Sequence, residues 1–361
     1  RSSTTNYSVT YFSASCNSNA TGTVTINPTP TLTVSSSTIC PGSSATLNAV
    51  GTPSGGTYLW SPSNQTTSSI TASPSATTSY AVSYNLNGCP SNTVNGNITV
   101  SNIVDWANIQ GPGTSTICQG QSLTIYGQVF ENGVTPLNGQ GAGITVEFAY
   151  NTTNTDPSTW PSSSWTMANY NTSSNTVNND EYFGTLANLS AGTYFYAFRY
   201  TMNGCTLYGG YSSTGGGFWN GSSNVNGILI VNPNTIPLFN PVAAICAGNT
   251  INTLPTSSLN AINGTWSPPL NNQQTTTYTF TPVTGICATT TTLLVTVNPL
   301  PIASISPINS NVLTCTSTSI SLTATGGGTY SWSNGTAVVG TNATLAVTTP
   351  GTYTVTVTAA N

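Results

Sequence analysis

The side chains best suited to covalent chemistry in this sequence are its eight cysteines. They recur in a fixed setting. A cysteine precedes a small polar turn, an apolar-alternating strand and a tryptophan; a Thr/Ser-rich passage follows, then a tyrosine opening a second alternating strand, and a second cysteine. The clearest copy runs from Cys40-Pro41-Gly42 through Ala45, Leu47, Ala49 and Trp60 to Tyr80, Val82, Tyr84 and Cys89. Another has Cys246, Trp266, Tyr278 and Cys287, and a third has Cys315, Trp332 and Tyr353 and reaches Asn361 before a second cysteine. With no histidine and no Cys-x-x-Cys, the cysteines read as disulfides rather than metal ligands. Disulfides persist in oxidising compartments, which predicts an extracellular or cell-surface location.

Two disulfide schemes are open. Pairing inside each module, Cys40–Cys89, Cys118–Cys205 and Cys246–Cys287, is the simple arithmetic. Pairing between modules, Cys40–Cys205 and Cys118–Cys287, suits the strand order better, and it is preferred. The first cysteine of a module lies just before its second strand and the other just after its sixth, at opposite poles of an immunoglobulin topology. A seven-residue strand is roughly 23 Å long, whereas bridged Cα atoms lie within about 7 Å. Cys16 and Cys315 are left to partners outside the chain or in a neighbouring subunit.

Other chemistry has little to work with. There is no lysine and no histidine, no nucleophile elbow and no motif that pairs carboxylates. General acid–base catalysis needs a titratable group near the working pH, so no enzyme, cofactor or metal is expected. Asp156, Asp180 and Glu181 lack the ligand periodicity of a calcium loop. Trp160, Trp165, Tyr208, Tyr211, Phe218 and Trp219 are candidates for a sugar-stacking platform, with Trp160, Trp165, Tyr211 and Trp219 as its contacts. They are equally the residues of core and loop packing. The repeated Trp60, Trp266 and Trp332 read as core. The strand-opening Tyr7, Tyr80, Tyr194, Tyr278 and Tyr353 resemble the tyrosine corner of immunoglobulin domains, whose hydroxyl bonds back to the backbone.

The elements that carry these residues are strands. Charged residues are 2% of the chain against about a quarter in ordinary domains. The 7 Trp, 17 Tyr and 9 Phe, many set in Thr/Val/Ile alternation, exclude the disorder that Ser/Thr/Gly enrichment otherwise suggests. Period-2 alternation with turn signals every 8–12 residues gives an all-β fold: a tandem array of immunoglobulin-like antiparallel β-sandwich modules forming a rod. Residues 1–28 form the C-terminal hairpin of a truncated module, 29–103 a complete module and 104–233 a larger sandwich. Residues 234–299 form another module, and 300–361 one lacking its last strand. The larger module holds all six acidic residues and Arg199. Its alternation puts Glu147 opposite Arg199, a pair worth roughly 0–1 kcal/mol if exposed. Stiff Asn-Pro junctions replace flexible linkers. No basic patch exists for nucleic acid, and no apolar run is long enough to span a membrane.

CPGSSATLNAVG…YLWSPSNQTTSSITASPSATTSYAVSYNLNGCPSN resembles the immunoglobulin-like and PKD-like repeats of very large secreted surface proteins of Bacteroidota. NPVAAICAGNTINTLPTSSLNAINGTWSPPLNNQQTTTYTFTP and the module with NNDEYFGTL and GGGFWNG look like companions from the same proteins. The resemblance covers essentially the whole chain. It implies sandwich arrays exported by the type IX secretion system and displayed as adhesins or filaments, gliding-motility adhesins included. The expected function is a structural segment of a large cell-surface adhesin or filament. The alternative is a set of non-catalytic spacer or carbohydrate-binding modules of a secreted polysaccharide-degrading enzyme. Expected partners are neighbouring copies or modules of the same protein, with surface glycans as a further candidate. If Arg1 is a mature terminus, the first hairpin is expected to complete the last module of a neighbouring subunit, with Cys16 linked to Cys315.

Overall fold

A computed structural model describes residues 4–136, 139–174, 177–307 and 311–359; Arg1 and Asn361, weighed above as termini, lie outside the described residues. The chain is all-β and divides into two compact units, Arg1–Val231 and Asn232–Asn361. In the first unit, strands β1 (Thr5–Ser13) and β2 (Cys16–Val24) pair with each other and, among the described residues, with no other strand. Eight strands follow: β3 (Thr31–Val34), β4 (Ser37–Ile39), β5 (Ala45–Thr52), β6 (Thr57–Ser61), β7 (Ser69–Ala72), β8 (Thr78–Leu86), β9 (Cys89–Pro90) and β10 (Val94–Val100). They form two sheets, β3-β5-β7 and β4-β10-β8-β6, with β9 paired to β8. This is an immunoglobulin-like sandwich.

Sequence alternation dictates its core. Ala45, Leu47 and Ala49 of β5 and Tyr80, Val82 and Tyr84 of β8 are buried, while the residues between them are not. Trp60 on β6 is opposite Val82 and fully buried. Its indole Nε1 donates to the Thr67 carbonyl at 2.9 Å, which satisfies the one polar atom it brings inside. β10 closes the sheet, antiparallel to β8 and parallel to β4, and places Ile98 in the core.

Residues 106–232 build one sheet of eleven hydrogen-bonded strands, where two facing sheets were expected. One parallel bridge, Asn108 to Gly210, joins strands Trp106–Gly111 and Cys205–Gly210 and so links two sets of strands; the long strand Gly192–Met202 organises the larger set. It pairs with Gly227–Asn232 at one end, with Cys205–Gly210 at the other and with Ile144–Asn151 along its length. Burial also departs from simple alternation. Ala149 and Ala197 are buried on the face opposite Val146, Tyr196, Phe198 and Tyr200, because Trp160 and Trp165 cover that side.

In the second unit, Gly264–Ser267, Thr276–Pro282 and Thr291–Val295 form one antiparallel sheet, and Ile245–Cys246 pairs parallel to Val297–Asn298. Trp266 is half-buried rather than central, held between Phe239 and Phe280 at ring separations of 4.7 and 5.1 Å. The last residues form two three-stranded sheets around a fully buried Trp332. Of the five strand-opening tyrosines, Tyr194 and Tyr353 show the expected back-bonding, their hydroxyls donating to the carbonyls of Ser190 and Thr349 at 2.9 and 3.1 Å.

Truncating Trp60 to alanine is expected to lower stability by about 3–5 kcal/mol. The same change at its exposed neighbour Leu59 should stay within about 0.5 kcal/mol. Urea unfolding of the two variants checks both.

Candidate functional site at the module poles

The first cysteine of a module opens a tight turn. In Cys40-Pro41-Gly42, Cys118-Gln119-Gly120 and Cys246-Ala247-Gly248, the glycine has φ of 81°, 91° and 84°. The amide two residues beyond the middle of each turn, on Ser43, Gln121 and Asn249, donates to the cysteine carbonyl at 3.0 Å in all three. A third turn residue with positive φ is the type II requirement, and glycine meets it without strain. Cys315-Thr316-Ser317 lacks that glycine.

The second cysteine follows a two-residue hairpin loop. Asn87-Gly88 and Asn203-Gly204 have φ of 51° and 81°, and 51° and 79°, the type I′ pattern that matches strand twist. Cys89 and Cys205 are therefore the first residues of their return strands, opposite Leu86 and Met202. The Asn-Gly dipeptide in front of each of these two cysteines is the sequence signal for this placement.

These turns lie at opposite poles. Ile39, just before Cys40, pairs with Val100 near the Thr78 end of β8, whereas Cys89 sits at the Leu86 end. The nine-residue β8 separates them by roughly 26 Å. Cys40 accordingly does not bond Cys89. It bonds Cys205 of the following module, with Cα atoms 5.7 Å apart. Beside this bridge, Asn203 Nδ2 donates to the Asn102 carbonyl at 3.0 Å. Cys118 and Cys287 are disulfide-bonded as well. Cys16, Cys89, Cys246 and Cys315 are free thiols, the first and last exposed. The within-module pairs Cys40–Cys89, Cys118–Cys205 and Cys246–Cys287 are therefore all corrected: each has a member that is free or bonded elsewhere. The same strand length that separates Cys40 from Cys89 applies to Cys205, which stands at the Met202 end of an eleven-residue strand.

The sugar-stacking candidates separate into two groups. Trp160 and Trp165 are buried and stack on each other at 5.8 Å, with Tyr208 against Trp165 at 5.7 Å, so neither indole offers a free face. Tyr211 and Trp219 are half-buried just beyond the ends of strands Cys205–Gly210 and Gly217–Phe218, and the Trp219 indole nitrogen is enclosed. Arg199 closes the aromatic cluster. Its guanidinium lies 4.7 Å from the Trp165 ring centre and grips the Glu147 carboxylate through Nε and Nη2 at 2.7 and 2.9 Å. The two residues are opposite in register, as alternation required.

The remaining carboxylates serve the fold. Asp156 caps the short turn Pro157–Thr159 by accepting from Ser158 N at 2.8 Å. Asp180 accepts from Gly141 N at 2.6 Å. Glu181 accepts from Asn171 Nδ2, and Glu131 from Asn102 Nδ2 and Asp105 N. No group of three or more His, Cys, Asp or Glu among the described residues could hold a metal ion. Burial pushes the Asp180 carboxyl up, with the Gly141 amide working against it, and burial pushes the Tyr182 phenol up to about 12. Among the described residues no helix is long and apolar enough to cross a membrane.

No protein-family model matches the chain, and no curated protein matches it by sequence. Among solved structures, the chain is similar to a three-domain segment of titin, I67–I69, with 11% identity over 74% of this chain and 96% of that one, at a TM-score of 0.27. The four-domain ICAM-5 ectodomain fragment matches at 11% identity over 90% of this chain and 91% of that one, TM-score 0.23. Fibronectin(III)-like modules of Clostridium thermocellum CbhA match at 9% identity over 56% and 94%, TM-score 0.28.

Two outcomes are expected. Replacing Cys40 with serine removes a covalent loop of sequence separation 165 and should cost about 2–5 kcal/mol in non-reducing urea unfolding. For Asp180, a folded pKa above the unfolded one means its contribution is complete below the unfolded value, about 4, and is lost as pH rises through the folded value. Asp180→Asn should therefore be at least as stable as the parent at pH 7, and the difference should shrink at pH 3.5. Unfolding at the two pH values measures it.

Proposed function

We propose that this chain is a structural segment of a large secreted adhesin or extracellular filament, in which charge-poor immunoglobulin-like sandwiches are joined in series by disulfides. The observation that carries the reading is the Cys40–Cys205 bridge, which links two sandwiches at their poles instead of pinning one sandwich internally. A bridge placed there ties one module to the next instead of pinning the two sheets of a single module, and it resists their separation. Disulfides of this kind need an oxidising compartment, which supports an extracellular location. The carboxylates are engaged by backbone amides, side-chain amides and Arg199, which supports a non-catalytic role. The repeat resemblance supports a Bacteroidota surface protein exported by the type IX route.

Antibodies against the chain are expected to label intact, unpermeabilised cells of the source organism, and labelling confined to lysed cells would overturn the surface assignment. On a glycan array the full chain is expected to show no specific binding. Binding that disappears in Trp219→Ala would favour carbohydrate-binding modules of a secreted enzyme instead.

A further inference from the structure

One buried carboxylate of the larger module opens onto a groove. Strands Trp106–Gly111, Leu123–Phe130 and Asp180–Leu186 lie side by side and send Ile109, Ile125, Val129, Tyr182 and Leu186 into the core. Side chains alternate along a strand, so Tyr126, Gln128 and Glu181 stand on the opposite face. There Gln110, Gly111, Tyr126, Asn171 and Glu181 line a groove of about 440 Å³. A bulge shapes one side of it. Ile109 pairs with Gly127 and Gly111 with Tyr126, which makes Gln110 the extra residue, and a bulge re-aims the side chain it inserts. No atom lies within 4 Å of where a Cβ on Gly111 would stand, so that side of the groove is empty.

Glu181 is the feature that calls for a ligand. It is only 8% exposed, yet its hydrogen bonds come from two side-chain amides. Asn171 Nδ2 donates to Oε1, and Gln128 Nε2 approaches Oε2 at 3.5 Å, beyond the usual range of a hydrogen bond. An ionised carboxylate can accept about four such bonds, and burying its charge without a cation is costly. The buried Glu131 and Asp180 each accept from a backbone amide instead. Arg199, the one internal basic residue, is paired with Glu147. The chain has no lysine, so no second copy of it can bring one.

We propose that this groove holds the ammonium group of a lysine side chain on a partner protein. Charge complementarity selects the group. The Glu181 carboxylate supplies the negative charge, and the exposed Gln110 amide supplies a further acceptor oxygen. The half-buried Tyr126 ring, 6.4 Å from Phe183, forms a wall of the kind that attracts a cation to its face. The four-carbon stem of lysine lies along that ring and past Gly111, as such stems do on apolar surface. Asn171 and Gln128 each engage one carboxylate oxygen, which disfavours the two parallel bonds of a guanidinium. An ammonium is a compact point charge with three rotatable donors and needs no such pair. The proposal deepens the adhesin reading by naming the chemistry of its partner, and it rests on that reading for the partner being a protein.

The test is an NMR titration of the full, isotope-labelled chain with Nα-acetyl-lysine methylamide. Expected are saturable shifts at the amides of Gln110, Tyr126, Asn171 and Glu181, weakened by added salt. The Nε-acetylated probe, which has lost its charge, should give none. Glu181→Gln keeps an acceptor for Asn171 and should weaken binding about tenfold or more with an unchanged melting curve. Two milder variants guard against misfolding: Tyr126→Phe should bind as the parent does, and Tyr126→Leu about threefold more weakly. Equal binding of choline, shifts elsewhere on the chain, or unchanged affinity in Glu181→Gln would overturn the proposal. So would competition by N-acetylglucosamine, which would mark the groove as a saccharide site. A blank titration beside surface-labelled cells would remove the lysine site and leave the adhesin reading standing.

Discussion

The complete module depends on one ladder of hydrogen bonds, that of the strand closing its sandwich between an antiparallel neighbour and a parallel one. β10 shows what it does. Through Val94–Ile98 it satisfies the edge of β8, through Val100 it fixes the short β4, and through Ile98 it seals the apolar interior. An unpaired strand edge exposes donors and acceptors that invite another strand, so a module without this ladder is incomplete in polar and apolar respects at once. This strand follows β9 and its Cys89 at one pole and ends beside the Cys40 turn at the other. Closure of a module and the joining of modules are thus properties of one element.

Much of this was legible in the residues. Strict alternation in 45–49 and 80–84 gave the core of the complete module, and the order of cysteines relative to strands pointed to the poles. Three things were less legible. Alternation could not show that both faces of Ile144–Asn151 and Gly192–Met202 are covered, because the cover comes from Trp160 and Trp165, on a segment distant in sequence from one of them. Trp266 shares its motif position with Trp60 and Trp332 but lies in a smaller sheet with Phe239 against it, so it remains half-exposed. The aromatic platform failed for Trp160 and Trp165 because residue type does not distinguish a ring offered to a ligand from one stacked on its neighbour.

The near absence of charge has a structural counterpart. Arg199 is engaged by Glu147 and Trp165, and the buried Glu131, Asp180 and Glu181 accept bonds from amides. Buried carboxylates are tolerable only when so satisfied. Among the described residues the ions are hydrogen-bonded or paired, with Asp105 exposed, and most of the surface polarity comes from hydroxyls and side-chain amides, which neither titrate nor respond strongly to salt.

The bridge between Cys40 and Cys205 also changes what a broken backbone means. The peptide chain between these residues and the sulfur–sulfur bond form a closed covalent ring of sequence separation 165. A single cleavage anywhere on that ring turns it into a branched but unbroken path, and the parts of the molecule before and after it stay attached. Separation requires two cuts in the same ring, or one cut and a reductant. A bridge staggered between modules therefore gives the chain a tolerance of single scission that a bridge confined to one module extends only to cuts within that module.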